Sequence, residues 1–89
     1  MRYVLNPRAI FHTMEDKMVV WNPENGHTVV LNHTGWYILY LIDSGTDTYD
    51  GIVRELAEEY GLTVEEVEGD VREFLKEMEE VGLIWTERS

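Results

Sequence analysis

Short apolar and β-branched runs alternate with turn residues along the first third of the chain, a pattern typical of a strand meander. The runs lie at about residues 8–14, 17–22 and 27–32, separated by Glu15-Asp16 and by a segment rich in Asn, Pro and Gly. This spacing predicts two successive hairpins and therefore three antiparallel strands. The third strand is the last of the meander, so we expect it at a sheet edge with unpaired backbone N–H and C=O groups.

The residues that follow have the apolar spacing of two helices with clear ends. The first runs from Trp36 to Ile42, with Asn32 or Thr34 as its N-cap and residues 43–45 as its end. Seven consecutive apolar residues leave it no fully polar face, so we expect it to be central. The second starts near Asp47-Thr48 and ends at Gly61, with a predicted buried face of Ile52, Val53, Leu56, Ala57 and Tyr60.

A third helix is predicted from the best-defined signals in the chain. Thr63 and Glu66 have the spacing of a capping box, and Gly82 is the expected residue after a last helical residue near Val81. Segment 83–85 either adds a short strand or packs back on the body. The apolar positions of this helix fall on one arc: Val64, Val67, Val71, Phe74, Leu75, Met78 and Val81.

Together these elements predict an α+β fold, a three-stranded antiparallel sheet followed by three helices. The order of elements and the tight turn at 60–63 resemble a winged helix-turn-helix. The chain has 89 residues, of which 44% are hydrophobic, so we expect one domain spanning residues 1–89 with a modest core.

The net charge of −11 is unevenly distributed. Residues 46–89 carry fourteen acidic side chains against four basic ones, and the predicted third helix alone has a net charge of −6. A helix with that charge would be repelled by duplex DNA, so the charge argues against nucleic-acid binding and favours basic peptides or partner proteins. The acidic helical surface also has a simpler explanation, which is solubility.

The chain offers no arrangement of residues suited to catalysis, metal binding or a bound cofactor. It lacks cysteine, and no Ser or Thr has an evident neighbouring base. His12, His27 and His33 are the only nitrogen ligands for a metal, and none has helical i+3 or i+4 spacing. We therefore expect no enzyme activity. No apolar run long enough to span a membrane and no signal-peptide pattern is present, so we expect a cytoplasmic protein.

The segments VVLNHTGWYILYLIDSGTDTYDGIV and VEGDVREFLKEMEEVGLI resemble the PqqD-like family, the small domains called RiPP recognition elements. The similarity covers about residues 6–85 and is greatest to the free-standing leader-binding proteins of lasso-peptide biosynthesis. It is carried by Leu31-Asn32 with Thr34, by Ile42-Asp43-Ser44-Gly45, by Asp70-Val71 with Phe74-Leu75, and by Gly82-Leu83-Ile84.

The resemblance implies a site and a mechanism. In this family an extended precursor leader pairs antiparallel to the third strand and lies between that strand and the third helix, which is β-strand addition. The leader would contain a Tyr, a Pro and a Leu and would be delivered to a cysteine protease and an ATP-dependent cyclase on separate chains, the binding protein itself being a monomer. The implied leader-binding residues are Thr28, Val29, Val30, Leu31, Val67, Asp70, Val71 and Phe74.

Several alternatives stay open at this level. Val29 and Leu31 share the face of the strand that we expect to be buried, and Val67 and Phe74 lie on the apolar arc, so all four also fit plain core packing. Asp70 also fits a salt bridge or a solvated charge. The nearest functional alternative is a PqqD-type chaperone that presents a precursor to a radical SAM enzyme. Alternatives of another class are self-association through the open strand and winged-helix DNA binding.

Overall fold

The computed structural model describes residues 1–88, and Ser89, the last residue of the predicted domain, lies outside them. The described residues form strands and helices with these bounds in chain order: β1 (Arg2–Leu5), β2 (Ile10–Met14), β3 (Lys17–Trp21), β4 (Thr28–Leu31), α1 (His33–Asp43), α2 (Tyr49–Tyr60), α3 (Val64–Glu80) and β5 (Ile84–Glu87).

Strands β2, β3 and β4 form the antiparallel meander that the apolar runs predict, in the spatial order β2-β3-β4. Glu15 and Asp16 form the two-residue turn of the first hairpin, in which Met14 pairs with Lys17. Glu15 has a φ of 55°, a left-handed conformation that is unfavourable for a side chain with a Cβ. The prediction that the third strand of the meander is an edge strand is confirmed, although the strands are a few residues shorter than predicted.

A second sheet has two strands, β1 and β5, which pair antiparallel with Leu5 opposite Ile84. This result decides between the two interpretations of segment 83–85, because Ile84 begins a strand. Strand β1 was not predicted. Its four residues are too short to show a period, and its partner lies some eighty positions away, as in the hydrogen bond between Arg2 and Glu87.

The helix ends follow the capping signals. The side chain of Asn32, one of the two predicted caps, accepts a hydrogen bond from the N–H of Gly35 at 2.7 Å and so begins α1. Helix α2 begins after Thr48. The Thr63–Glu66 capping box begins α3, and Gly82, with a φ of 75°, follows its C-terminal end as predicted.

One hydrophobic core joins the meander, the three helices and β5. Helix α1 is central, as predicted, and packs against β1, β4 and α2. The prediction that Tyr60 is buried is wrong: its side chain is 38% exposed because it is the last residue of α2, where the helix leaves the body. Val64 is also exposed, because it is the first residue of α3 and lies at the end of the helix. No helix within residues 1–88 is long and apolar enough to cross a membrane.

Candidate functional site

Backbone hydrogen bonding along β4 alternates between its two edges. The N–H of Asn22 donates to the carbonyl of His27 at 2.8 Å, which fixes the pattern of the β3–β4 ladder. Because bonded and non-bonded pairs alternate in an antiparallel ladder, Val29 uses its backbone groups on β3. Thr28 and Val30 therefore direct their N–H and C=O groups away from β3. Within residues 1–88 no strand lies beyond this edge of β4.

The side chains of β4 alternate between the core and solvent. Leu31 is buried and Val29 is half-buried against the core. Val30 lies on the opposite face and is 62% exposed, the largest exposed fraction of any aliphatic residue within a strand or helix of the described chain. The exposed side chain and the outward backbone of Val30 thus come together at one position of the edge.

Helix α3 contacts the chain on either side of β4, in the loop before the strand and in helix α1 after it. Near the end of β4, the ring of Phe74 lies so close to the backbone of Gly35 that a Cβ on Gly35 would be 2.9 Å from Cε1 of Phe74. At the start of β4, the side chain of Asn25 donates to the carbonyl of Val81 at 3.1 Å. Helix α3 therefore runs antiparallel to β4 from Phe74 to Val81. We call the space between these two residues and the outer edge of β4 the β4–α3 cleft.

The two walls of this cleft match in length. Seven residues of helix rise about 10 Å, and the three steps from Thr28 to Leu31 also extend about 10 Å. An extended segment of about four residues has the same length.

An open cavity of about 250 Å³ lies beyond the Phe74 end of the cleft. It brings together three of the residues implied by the resemblance, Val67, Asp70 and Val71. Phe74 and the β4 residues do not line it, so the candidate residues divide between this cavity and the cleft. The other residues lining the cavity are Thr34, Leu56, Tyr60, Leu62 and Glu66.

The resemblance does not place Thr34, Tyr60 or Leu62 in the leader-binding site, although the sequence indicates Thr34 as a possible N-cap of α1 and Tyr60 as a core residue. The exposure of Tyr60 and Leu62, both large and apolar, is the feature that marks them. Leu62 follows the glycine that ends α2, where the chain turns into α3. A signal was present in the sequence, because a Leu immediately before a capping Thr is a typical position for an apolar contact at a helix entrance.

Carboxylates line the α3 side of the cavity. The backbone N–H and the hydroxyl of Thr63 hydrogen-bond Glu66 and lower the pKa of its carboxyl. Asp70 forms no ion pair within residues 1–88, where the ion pairs involve Arg2 and Arg8 alone among the basic side chains. The interpretation of Asp70 as half of a salt bridge within the chain is therefore wrong, and its charge faces solvent.

The histidines lie apart from one another. His12 is on β2 and His27 precedes β4, with β3 between them. His33 stacks on Trp36 with ring centroids 6.1 Å apart and meets Tyr60 edge-on at 6.3 Å, so it belongs to an aromatic cluster beside the cavity. Residues 1–88 contain no group of three potential metal ligands.

The described residues thus form an acidic α+β domain with an open edge strand and an amphipathic third helix. The family model for coenzyme PQQ synthesis protein D (PqqD) matches residues 17–84, from β3 to the start of β5. The chain belongs to this family and is a PqqD-like RiPP recognition element, which is a recognition protein and not an enzyme. No curated protein matches the chain.

Two solved structures share the fold. The first is TbiB1 in complex with the TbiA(beta) leader peptide, with a TM-score of 0.80 and 22% identity over 97% of this chain and 99% of that one. The second is lasso peptide synthetase B1 complexed with the leader peptide, with a TM-score of 0.78 and 20% identity over 94% of this chain and 98% of that one. The three-stranded sheet followed by three helices is thus the fold of this group, as predicted.

Proposed function

We propose that this chain binds the leader of a ribosomal precursor peptide by adding it to β4 as a fourth strand. The observation that carries the proposal is the outward-directed backbone of Thr28 and Val30 on an edge strand with α3 alongside. An uncovered edge strand can pair with other chains and aggregate, and a peptide bound as an additional strand would occupy its free hydrogen-bonding groups. The two structural neighbours, both complexes with leader peptides, support this assignment.

The geometry specifies how the leader would lie. Strand addition to Thr28 and Val30 provides up to four backbone hydrogen bonds, two from each residue. A leader antiparallel to β4 has its N-terminal side near Asn32 and its C-terminal side near Asn25. Leader side chains on the core face of the extended sheet would contact α3 at Phe74.

The leader would continue past the paired segment into the cavity. Its N-terminal side leaves the cleft beside Asn32, which is two residues before Thr34 in the cavity wall. The cavity floor of Val67 and Val71 is apolar, and its volume of about 250 Å³ suits one large side chain. Backbone pairing would thus supply affinity with little sequence preference, and the cavity would supply specificity.

The mechanism is recruitment, without any bond made or broken on this chain. A leader that is disordered when free loses conformational entropy on binding, and the strand hydrogen bonds and the cavity must offset that cost. Once bound, the leader holds the attached core peptide close to a processing protease and cyclase on separate chains. Binding therefore raises the effective concentration of the core peptide at these enzymes.

A proline at position 30 tests strand addition directly. The N–H of Val30 points away from β3, so Val30→Pro removes the bond to the leader and none of the bonds within the sheet. Val30→Ala is the matched control, because it shortens the side chain and keeps the N–H. The probes are the fluorescently labelled leader from the precursor encoded beside this gene and the TbiA(beta) leader as a reference, followed by anisotropy.

The proposal expects saturable binding by the parent chain and by Val30→Ala, and loss of binding by Val30→Pro, with all three folded by circular dichroism. Equal binding by Val30→Pro and the parent would exclude strand addition at β4. Absence of binding by the parent to either leader, with a dimer in light scattering, would favour self-association through the same edge.

The family description favours one alternative within the same class. PqqD is described as a coenzyme PQQ synthesis protein, so the peptide held at β4 would then be a quinone-cofactor precursor presented to a radical SAM enzyme. The two assignments use the same edge and differ in the leader that is bound. Titration with both precursor peptides separates them.

A further inference from the structure

A single side chain connects the two walls of the β4–α3 cleft at its Val81 end. The amide oxygen of Asn25 accepts a hydrogen bond from the N–H of His27 at 3.0 Å, at the start of β4. The amide nitrogen of the same side chain donates to the carbonyl of Val81 at 3.1 Å, at the C-cap of α3. Both hydrogen-bonding ends of Asn25 are therefore used, one on each wall.

Two buried asparagines support the same end of the helix. Asn22 donates to the carbonyls of Val81 and Gly82 at 3.2 and 3.1 Å, and Asn6 donates to the carbonyl of Gly82 at 2.9 Å. Asn6 and Asn22 are the only buried polar side chains among the described residues. They satisfy carbonyls that the end of a helix leaves without partners. Asn25 differs from them because it is exposed and reaches the strand as well as the helix.

We propose that Asn25 is a positioning residue that sets the separation of β4 and α3 and so keeps the cleft at the width of one extended peptide. This inference rests on the proposed leader binding. Within the described residues, the Asn25 bridge is the direct side-chain link between the start of β4 and the end of α3. Without it, the end of α3 keeps its hydrogen bonds from Asn22 and Asn6 but loses its exposed link to the start of β4, and the leader must order that end of the cleft when it binds. A preorganised site binds more tightly because it loses less conformational entropy when the ligand binds.

Two variants separate the roles of the amide group. Asn25→Ala removes both hydrogen bonds. Asn25→Asp has the same shape and keeps the acceptor for His27 but loses the donor, and it places a negative charge against the carbonyl of Val81 at a helix C-terminus. Because Asn25 is exposed, both variants are expected to fold. Each should bind the labelled leader roughly three- to tenfold more weakly, the usual scale for one hydrogen bond.

Thr48→Ala is the control for a purely structural effect. It removes the N-cap of α2, a comparable local loss at the opposite end of that helix from Tyr60, which lines the cavity. Chemical denaturation and anisotropy are measured on the parent and all three variants. Weaker leader binding by both Asn25 variants, with unchanged binding by Thr48→Ala at similar stability, supports the positioning role.

The other outcomes overturn it in distinguishable ways. If the Asn25 variants bind the leader as the parent does, Asn25 does not position the cleft and the proposed function stands. If Thr48→Ala loses as much affinity, the effect is one of stability alone. If the parent binds neither the neighbouring precursor's leader nor the TbiA(beta) leader, the proposed function fails and this inference fails with it.

Discussion

The ring of Phe74 packs directly on the backbone of Gly35, where a Cβ would lie 2.9 Å from Cε1 of the ring. The same Cβ would lie 3.3 Å from the side-chain oxygen of Asn32, which caps α1. Glycine at position 35 thus allows α3 to approach the junction between β4 and α1. Because Phe74 borders the candidate cleft, this contact joins the packing of the fold to the proposed binding site.

Gly35→Ala should displace the Phe74 ring and weaken leader binding. Alanine normally stabilises a helix by about 1 kcal/mol relative to glycine, so a net loss of stability would show that the clash outweighs the helical preference. The effect should be smaller when Phe74 is replaced by Leu, which a double-mutant cycle of unfolding free energies will measure as a coupling between the two positions. Additive effects would mean that the ring moves aside without cost.

Gly69→Ala is the matched comparison, since Gly69 also lies within a helix but has open space around its Cβ position. With no clash to offset the helical preference, this variant should gain roughly 0.5–1 kcal/mol in urea unfolding. Leader affinity should not change. A loss of affinity would place Gly69 in the binding surface, contrary to its position on the face of α3 opposite the core.

Asp70→Asn tests whether a charge at the cavity takes part in recognition. The side chain is exposed and has no ion pair within residues 1–88, so the change should leave stability nearly unaltered. If Asp70 contacts a basic side chain or a backbone N–H of the leader, affinity should fall several-fold, and the difference should shrink in high salt. Glu65→Gln removes the same charge from the opposite face and should leave affinity unchanged. Equal losses in both variants would indicate a general field effect.

The capping box predicts an acid-sensitive contribution to stability. Hydrogen bonds from Thr63 lower the pKa of Glu66 below its ordinary value of 4.5. A carboxyl with a lower pKa in the folded state stabilises the fold above its unfolded-state pKa, and the contribution is lost as the pH falls through the folded-state pKa. Glu66→Gln should therefore be less stable than the parent at pH 7, and the difference should shrink as the pH falls through the lowered pKa of Glu66 in the folded state. Urea unfolding at several pH values measures the gap, and a constant gap would contradict the expectation.

The parts of the fold that the sequence predicts are those fixed by local chemistry. Asn32, Thr48 and the Thr63–Glu66 pair define helix starts because caps act within one turn, and the apolar runs define the meander because strand periodicity is local. Strand β1 was not predicted, since its pairing with β5 joins the two ends of the described chain.

The candidate site was predicted only in part for a similar reason. The apolar arc placed Val67 and Val71 on the buried face of α3, and only the family resemblance implied that they belong to a site. Periodicity also indicated that Tyr60 is buried, because it does not show where a helix leaves the body. Asn25 has no periodic signal at all. Its two hydrogen bonds join segments more than fifty positions apart, and a loop asparagine is ordinarily explained by turn formation alone.

The meander has a second open edge, β2, and we expect the leader to pair with β4 and not with β2. Along β2 the backbone groups of Thr13 point outward, by the same alternation that applies to Val30. Strand β2 borders α1, since Phe11 and Trp36 line a common pocket, but none of its residues lines the cavity that contains Val67 and Val71 of α3. A peptide paired along β2 would therefore not reach that cavity. Thr13→Pro should therefore leave leader affinity unchanged, whereas Val30→Pro should abolish it. Loss of binding in Thr13→Pro with retention in Val30→Pro would move the site to the opposite edge of the sheet, and anisotropy with the same labelled leader decides between them.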